Sequence, residues 1–158
     1  MPISVPRSVG QIPVYYNRKN PWGHNYVETT SRPLYPFGYG LSYTRFAYSD
    51  LQVEEKGDYH YDVCLNVKNT GDRDGEEVIQ LYLKDDFASV VQPVKQLRNF
   101  RRVYLKKGET QQITFRISEN DLSIVDKDLK RIVEPGTFTL MIGSSSEDVR
   151  LHTQIDVK

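Results

Sequence analysis

His60-Tyr61-Asp62-Val63-Cys64-Leu65-Asn66-Val67-Lys68 is the stretch that decides the fold class. Tyr61, Val63, Leu65 and Val67 occupy every second position. In an extended chain successive side chains point to opposite faces, so this spacing describes a strand with one face in a core and the other in water. The same period recurs at Ile113, Phe115 and Ile117, at Phe138, Leu140 and Ile142, and from Val149 through Leu151, Thr153 and Ile155 to Val157. Phe100 to Leu105 reads as a further strand, and Val78 to Leu83 as one with apolar residues on both faces. Leu122 to Val125 and Leu129 to Val133 are expected as short strands around Asp126-Lys127-Asp128.

Turn chemistry separates these runs. Asn69-Thr70-Gly71-Asp72-Arg73-Asp74-Gly75 reads as a loop, and Lys107-Gly108, Pro135-Gly136 and Gly143-Ser144-Ser145-Ser146 read as turns. No stretch supports a helix of three or more turns. Many short strands at close intervals describe an all-β protein, an antiparallel two-sheet β-sandwich of the immunoglobulin or fibronectin type III-like kind.

Composition narrows the function. The 158 residues carry 21 acidic and 21 basic side chains, a formal net charge of zero. That balance gives no argument for nucleic acid or an anionic membrane as partner. The basic group Lys95, Arg98, Arg101, Arg102, Lys106 and Lys107 and the acidic group Asp72, Asp74, Glu76 and Glu77 are expected on solvated strand and turn faces. One cysteine, Cys64, forbids an internal disulfide. No apolar run is long enough to span a membrane as a helix. Met-Pro-Ile-Ser-Val-Pro-Arg lacks the apolar core of a signal peptide and reads like the middle of a protein.

The first third of the chain is different. Residues 1–41 are rich in Pro, Gly, Asn and aromatics, and are expected as an extended arm ahead of a sandwich formed by 42–158. Ile12-Pro13-Val14-Tyr15-Tyr16 is a candidate edge strand. Within the arm, Pro33-Leu34-Tyr35-Pro36-Phe37-Gly38-Tyr39-Gly40-Leu41-Ser42-Tyr43-Thr44 places a bulky group at every second position. Extended, it would turn Tyr35, Phe37, Tyr39, Leu41 and Tyr43 to one face, more apolar surface than a monomer leaves uncovered. Phe37 and Tyr39 are therefore expected to stand exposed unless the arm folds back on the sandwich or a second copy covers them.

That run resembles the junction motif of glycoside hydrolase family 3, the β-glucosidases and β-xylosidases. Other stretches agree. Pro6-Arg7-Ser8-Val9-Gly10-Gln11-Ile12-Pro13-Val14-Tyr15-Tyr16-Asn17 resembles the closing part of that family's α/β-sandwich domain. Asn69-Thr70-Gly71, Gln80-Leu81-Tyr82, Gln92-Pro93-Val94-Lys95-Gln96-Leu97 with Phe100, Glu134-Pro135-Gly136 and Ile142-Gly143 resemble its carboxy-terminal fibronectin type III-like domain. The resemblance implies a carboxy-terminal accessory module, not catalytic alone and without cofactor. Its parent is then a retaining, periplasmic or secreted β-glycosidase with a barrel and an α/β-sandwich domain as partners. Retention needs two carboxylates roughly 5–5.5 Å apart. In the family these lie in the two upstream domains, and no Asp or Glu here matches either motif. After Tyr16-Asn17 the sequence departs from the family, with Arg18-Lys19-Asn20-Pro21-Trp22-Gly23-His24 where His-Lys and then Thr-Gly-Arg are usual. Substrate contacts near that loop are not carried over.

Individual candidates are weighed against plainer readings. Asp72 to Glu77 lacks the ligand spacing of a calcium loop, since Gly75 comes too early. His24, His60 and His152 share no metal-ligand spacing. Cys64 has no neighbouring base to activate it. Trp22, Tyr35, Phe37, Tyr39 and Tyr43 are the candidate contacts, to another domain first and to sugar second. The long Asp85–Val94 loop is a candidate rim element. The competing functions are a carbohydrate-binding module and a free-standing interaction or adhesion module; a homodimer is a further arrangement to test.

Overall fold

A computed structural model describes residues 1–11, 14–19 and 30–158. Trp22 and His24 lie outside the described residues, as do Ile12 and Pro13 of the candidate edge strand; Val14 to Tyr16 form no strand. From Phe46 on the chain is almost entirely β. The strands are β1 (Phe46–Gly57), β2 (His60–Asn69), β3 (Gly75–Asp85), β4 (Gln96–Leu105) and β5 (Thr110–Ile117), then, after the one-turn helix α1 (Glu119–Leu122), β6 (Ile124–Val125), β7 (Arg131–Ile132), β8 (Gly136–Gly143) and β9 (Val149–Val157).

Two antiparallel sheets face each other, a three-stranded sheet ordered β1-β2-β5 and a four-stranded sheet ordered β4-β3-β8-β9. β6 and β7 pair as a small separate ribbon. The inward positions are the ones that the period of two picks out. Tyr61, Val63, Leu65 and Val67 are buried, with Val63 opposite Phe115 and Leu65 opposite Ile113. Ile79, Leu81, Leu83, Phe138, Leu140 and Ile142 cover them from the other sheet. Each fully buried side chain of this size contributes about 1.5–3 kcal/mol.

Some expected elements differ. β1 carries no readable alternation because a bulge interrupts it: Ser49 pairs with Asn66 and Gln52 with Cys64, leaving one extra residue. Asp50 takes a positive φ there. The extra residue switches the inward parity, so Phe46 and Tyr48 face the core before it and Leu51 and Val53 after it. Leu122 belongs to α1, and only Ile124–Val125 of the first expected short strand pairs. The second shrinks to Arg131–Ile132, because Leu129 occupies the turn with φ 60°.

Asn69 is the strand-end residue of β2 and is wholly buried, not a loop position. Its amide donates to the carbonyls of Arg73 (2.7 Å) and Leu105 (3.1 Å). Its Oδ1 accepts from Thr44 Oγ1 (2.7 Å) and from the Gly71 N–H (3.1 Å). A buried amide with four bonds stabilises; one with partners left behind costs roughly 1–3 kcal/mol per orphaned group. Asn69→Ala is expected to lower stability by about 2–4 kcal/mol, read from urea denaturation. A loss indistinguishable from that of an exposed-site control would contradict this account of the Asn-Thr-Gly motif.

Candidate functional site

β3 decides where the arm goes. Its inward residues are Glu77, Ile79, Leu81 and Leu83, yet Gln80 and Tyr82 on the outward face are buried too. What covers them is the arm. Tyr16 stands edge-on to Tyr82 at 5.7 Å, and Phe37 stacks on Tyr16 at 4.3 Å with the rings 22° apart. The Tyr16 hydroxyl accepts the Leu97 N–H (3.2 Å), and the Arg18 carbonyl accepts the Val94 N–H (2.9 Å). The arm therefore folds back on the outer face of the four-stranded sheet, which is why Phe37 and Tyr39 are half-buried.

The Gln80 carboxamide joins the two parts. Its Nε2 donates to the Gly38 carbonyl (3.2 Å) and the Ser144 carbonyl (2.5 Å), and its Oε1 accepts from the Tyr82 hydroxyl (2.6 Å). Ser146 N–H donates to the Phe37 carbonyl (2.9 Å), and Lys95 Nζ reaches the Ser146 carbonyl while lying 5.9 Å from the Tyr82 ring centre. Burial lowers the Lys95 ammonium below its ordinary range and pushes the Tyr82 hydroxyl up. Lys95 and Arg98 are half-buried rather than on a solvated face, which corrects the surface reading of the basic group.

The four aromatic candidates among the described residues, Tyr35, Phe37, Tyr39 and Tyr43, do not share one face. Tyr39 N–H closes a turn onto the Pro36 carbonyl (3.1 Å), with Gly38 at φ +83°. That turn overturns the expectation of a continuous extended run. It sends Phe37 against Tyr16, while Tyr35 and Tyr39 pack on each other at 4.9 Å and Tyr35 bridges to Val5. Tyr43 is 94% exposed and Leu41 90% exposed. Gln11, buried inside the arm, holds it together by donating to the carbonyls of Thr30 (2.7 Å) and Arg32 (2.8 Å) and accepting the Arg7 N–H (2.6 Å).

Between arm and sandwich runs a cleft of about 770 Å³, lined among others by Phe37, Tyr39, Leu41, Phe46, Val78 and Phe100. Glu77, Asp148 and Arg150 line it too. Glu77 corrects the reading of the acidic group as solvated: it sits on the core-facing side of β3 and is buried. Tyr48 of β1 donates its hydroxyl to Glu77 Oε1 (2.7 Å). Arg150 of β9 approaches the same oxygen (3.5 Å), pairs with Asp148 (2.8 Å) and lies 4.6 Å from the Tyr48 ring centre. The group ties β1, β3 and β9 together. Burial raises Glu77 above the ordinary carboxylate range in spite of the hydrogen bond from Tyr48 and the Arg150 charge. Burial and then the Glu77 charge push Tyr48 up. Asp148 stays low, because bonds from Arg150 and Ser144 outweigh its burial.

The remaining candidates have local partners. Asp74 accepts from the Tyr104 hydroxyl and the Lys107 N–H, and Glu76 pairs with Arg102. His60 Nδ1 lies 2.7 Å from the Asp58 carbonyl, His152 is exposed, and Cys64 Sγ is 3.4 Å from Thr114 Oγ1. Among the described residues no three His, Cys, Asp or Glu side chains come together in a way that could hold a metal ion. In the sequence Gln80, Tyr82 and Tyr16 carry only the family resemblance and are not among the candidate contacts. The signal for them was a polar residue and a tyrosine on the second face of a strand already apolar on both sides.

Two outcomes follow. Gly38→Ala places a methyl 2.1 Å from Gln80 Oε1 at a backbone angle that L residues avoid. It is expected to free the arm while leaving the sandwich folded, seen as faster proteolysis within residues 30–40 and a loss of about 1–3 kcal/mol. Unchanged proteolysis would sink the docking role of Gln80. Glu77 holds its proton more tightly folded than unfolded, so its contribution is present below the unfolded value near 4.5 and is lost as pH rises through the raised folded value. The stability of wild type relative to Glu77→Gln is therefore expected to fall as pH rises above 4.5; a difference that grows with pH refutes the assignment.

Comparison with known proteins places this geometry. The fibronectin type III-like domain family matches residues 77–146. A putative β-xylosidase of Formosa agariphila is 40% identical over 154 residues, 95% of this chain and 20% of that protein. A periplasmic β-glucosidase of Salmonella typhimurium is 42% identical over 164 residues, 95% of this chain and 21% of that protein. Among solved structures, a β-glucosidase from Erythrobacter marinus superposes with a TM-score of 0.90 at 42% identity, covering 98% of this chain and 21% of that one. The β-glucosidase of Listeria innocua in complex with isofagomine gives 0.87 at 37%, covering 98% and 23%. The chain spans about a fifth of the length of the curated relatives it matches.

Proposed function

We propose that the chain, the fibronectin type III-like module with its preceding linker of a glycoside hydrolase family 3 protein, is an accessory structural module of a retaining β-glycosidase. The observation that carries this reading is the docked arm. Gln80 and the Ser146 N–H hold Gly38 and Phe37, and Tyr82 with the Leu97 and Val94 N–H groups holds Tyr16 and Arg18. We read the segment around Tyr16 as the close of the α/β-sandwich domain, which it resembles in sequence. A module whose Tyr82 ring and Leu97 and Val94 N–H groups are committed to that segment fixes the position of the domain it ends.

In this reading residues 1–41 are tail and linker and 42–158 the module. Tyr35, Phe37, Tyr39 and Tyr43, with Trp22, serve packing between domains. The parent hydrolyses β-glucosides or β-xylosides in the periplasm or outside the cell. Its two carboxylates lie in the upstream domains, the barrel supplying the nucleophile. This chain contributes no acid, base or nucleophile.

Deleting 42–158 from the full-length enzyme tests the role. The expected result is a fall in melting temperature or in residual activity after heating, with the substrate preference unchanged. Full stability of the truncated enzyme would remove the structural role. Micromolar binding of oligosaccharide by the chain in calorimetry would favour a carbohydrate-binding module instead, and a concentration-dependent doubling of mass would point to a dimer.

A further inference from the structure

We propose that the turn between β8 and β9 is a latch for the arm, and that Arg150 is the positioning residue that closes it. The bonds of Arg150 among the described residues all go to the sandwich: to Phe46, Glu77 and Asp148. The inference stands apart from the accessory role above, because it concerns how the arm is held and not what the module does for an enzyme.

Two backbone groups of the turn carry the seat of the arm. The Ser146 N–H donates to the Phe37 carbonyl (2.9 Å). The Ser144 carbonyl takes one of the Gln80 amide hydrogens (2.5 Å), and the other goes to the Gly38 carbonyl (3.2 Å). The carboxamide faces the arm because the turn holds its second hydrogen. A turn that shifts therefore releases Phe37 directly and Gly38 through Gln80. Phe37 stacks on Tyr16, so the earlier arm segment loses its cover at the same time.

Bonds within the turn fix its shape. The Ser144 N–H donates to the Asp148 carbonyl (3.1 Å), and Ser145 Oγ accepts the Asp148 N–H (3.0 Å). A Cβ on Gly143 would stand 1.9 Å from the Asp148 carbonyl, so the two limbs of the turn lie against each other. Arg150 fixes where the turn stands relative to β1 and β3. The ladder is irregular there: Ile142 pairs with Leu151 and Gly143 with Val149, which leaves Arg150 as the extra residue of β9. A bulge re-aims the side chain of its extra residue. Arg150 Nε and Nη2 donate to Asp148 Oδ2 (3.1 and 2.8 Å), and Nη1 donates to the Phe46 carbonyl (3.1 Å) and approaches Glu77 Oε1 (3.5 Å). The same Asp148 oxygen accepts the Ser144 hydroxyl (2.5 Å). Charge-assisted bonds of this kind are about twice as strong as neutral ones. The path from Arg150 to the arm runs through Asp148, Ser144, Gln80 and Gly38, each step a hydrogen bond.

The test follows the arm in the full-length enzyme, by proteolysis and by hydrogen exchange resolved to single amides. Arg150→Met is expected to speed cleavage within residues 30–40 about tenfold, and to speed exchange of the Val94 and Leu97 amides by a similar factor. Those amides donate to the Arg18 carbonyl and the Tyr16 hydroxyl and lie outside the turn, so a merely local role of Arg150 would leave them unmoved. Methionine at 150 strands the Glu77 charge, so Glu77→Gln combined with Arg150→Met is measured alongside. It is expected to show the same release, with the amides of β2 and β5 as protected as in wild type. Ser144→Ala, which removes only the hydroxyl that meets Asp148, is expected to act in the same direction by less. Arg102→Met breaks the exposed pair with Glu76 and is the control, expected to change neither readout. In a Gly38→Ala background, whose arm is expected to be free already, Arg150→Met is expected to add nothing. Unchanged exchange at Val94 and Leu97 in both Arg150 variants overturns the latch. So does release that adds to that of Gly38→Ala, or equal release in Arg102→Met. Loss of protection in β2 and β5 in both Arg150 variants also overturns it, since Arg150 then acts on the whole sandwich.

Discussion

One carboxamide organises this molecule. Gln80 projects from the outward face of β3, where a lone buried amide would cost several kcal/mol if its hydrogen-bonding groups went unmet. Its donors go to the carbonyls of Gly38 and Ser144 and its oxygen takes the Tyr82 proton. Those partners belong to the arm, to the β8–β9 turn and to the same strand. None can shift without orphaning another. With the arm in place the amide is both buried and satisfied, and the outer face of the four-stranded sheet becomes an interior. Tyr82 can then be fully buried, and Tyr16 and Phe37 gain a surface to stack on.

Two further polar centres do for the ends of the sandwich what Gln80 does for its face. Asn69 gathers Thr44, Gly71, Arg73 and Leu105, so that the entry into β1, the β2–β3 loop and the end of β4 are set by one side chain. Glu77, Tyr48 and Arg150 link strands of both sheets on the side where β1 meets β9. A buried ion pair of this sort adds little net stability, but loss of one partner leaves a charge stranded. The apolar core supplies the driving force, and these centres select one arrangement of sheets, loop and arm.

The strands with uninterrupted alternation were legible from sequence because one rule governs them: β2, β5 and β8 bury every second residue. β1 was not, since the extra residue at Asp50 flips the parity halfway along and mixes the two faces in the linear pattern. The aromatic run of the arm misled for the opposite reason. Its alternation is perfect on paper, but Gly38 supplies a positive φ that turns the chain between Phe37 and Tyr39. Glu77 was taken for a solvated carboxylate because its burial depends on Tyr48 and Arg150, which are distant in sequence. Asn69 reads as loop chemistry because Asn favours turns, and no local signal distinguishes an amide that serves three separate segments. The family resemblance pointed to the right architecture; the positions that carry the seam became apparent only from the packing of β3.

The segment from Tyr39 to Tyr43 is fastened at both ends, by Gly38 on the face of one sheet and by Thr44 at the end of the other. Five residues between two fixed points can span no more than about 20 Å, so the segment is a strap of set length and not a flexible spacer. Pulling on the arm loads the bonds at Gly38, Ser146 and Leu97 together. The segment 35–39 therefore moves with the sandwich as one body. Its freedom is limited by how far a hydrogen bond can stretch, not by how far a chain can wander.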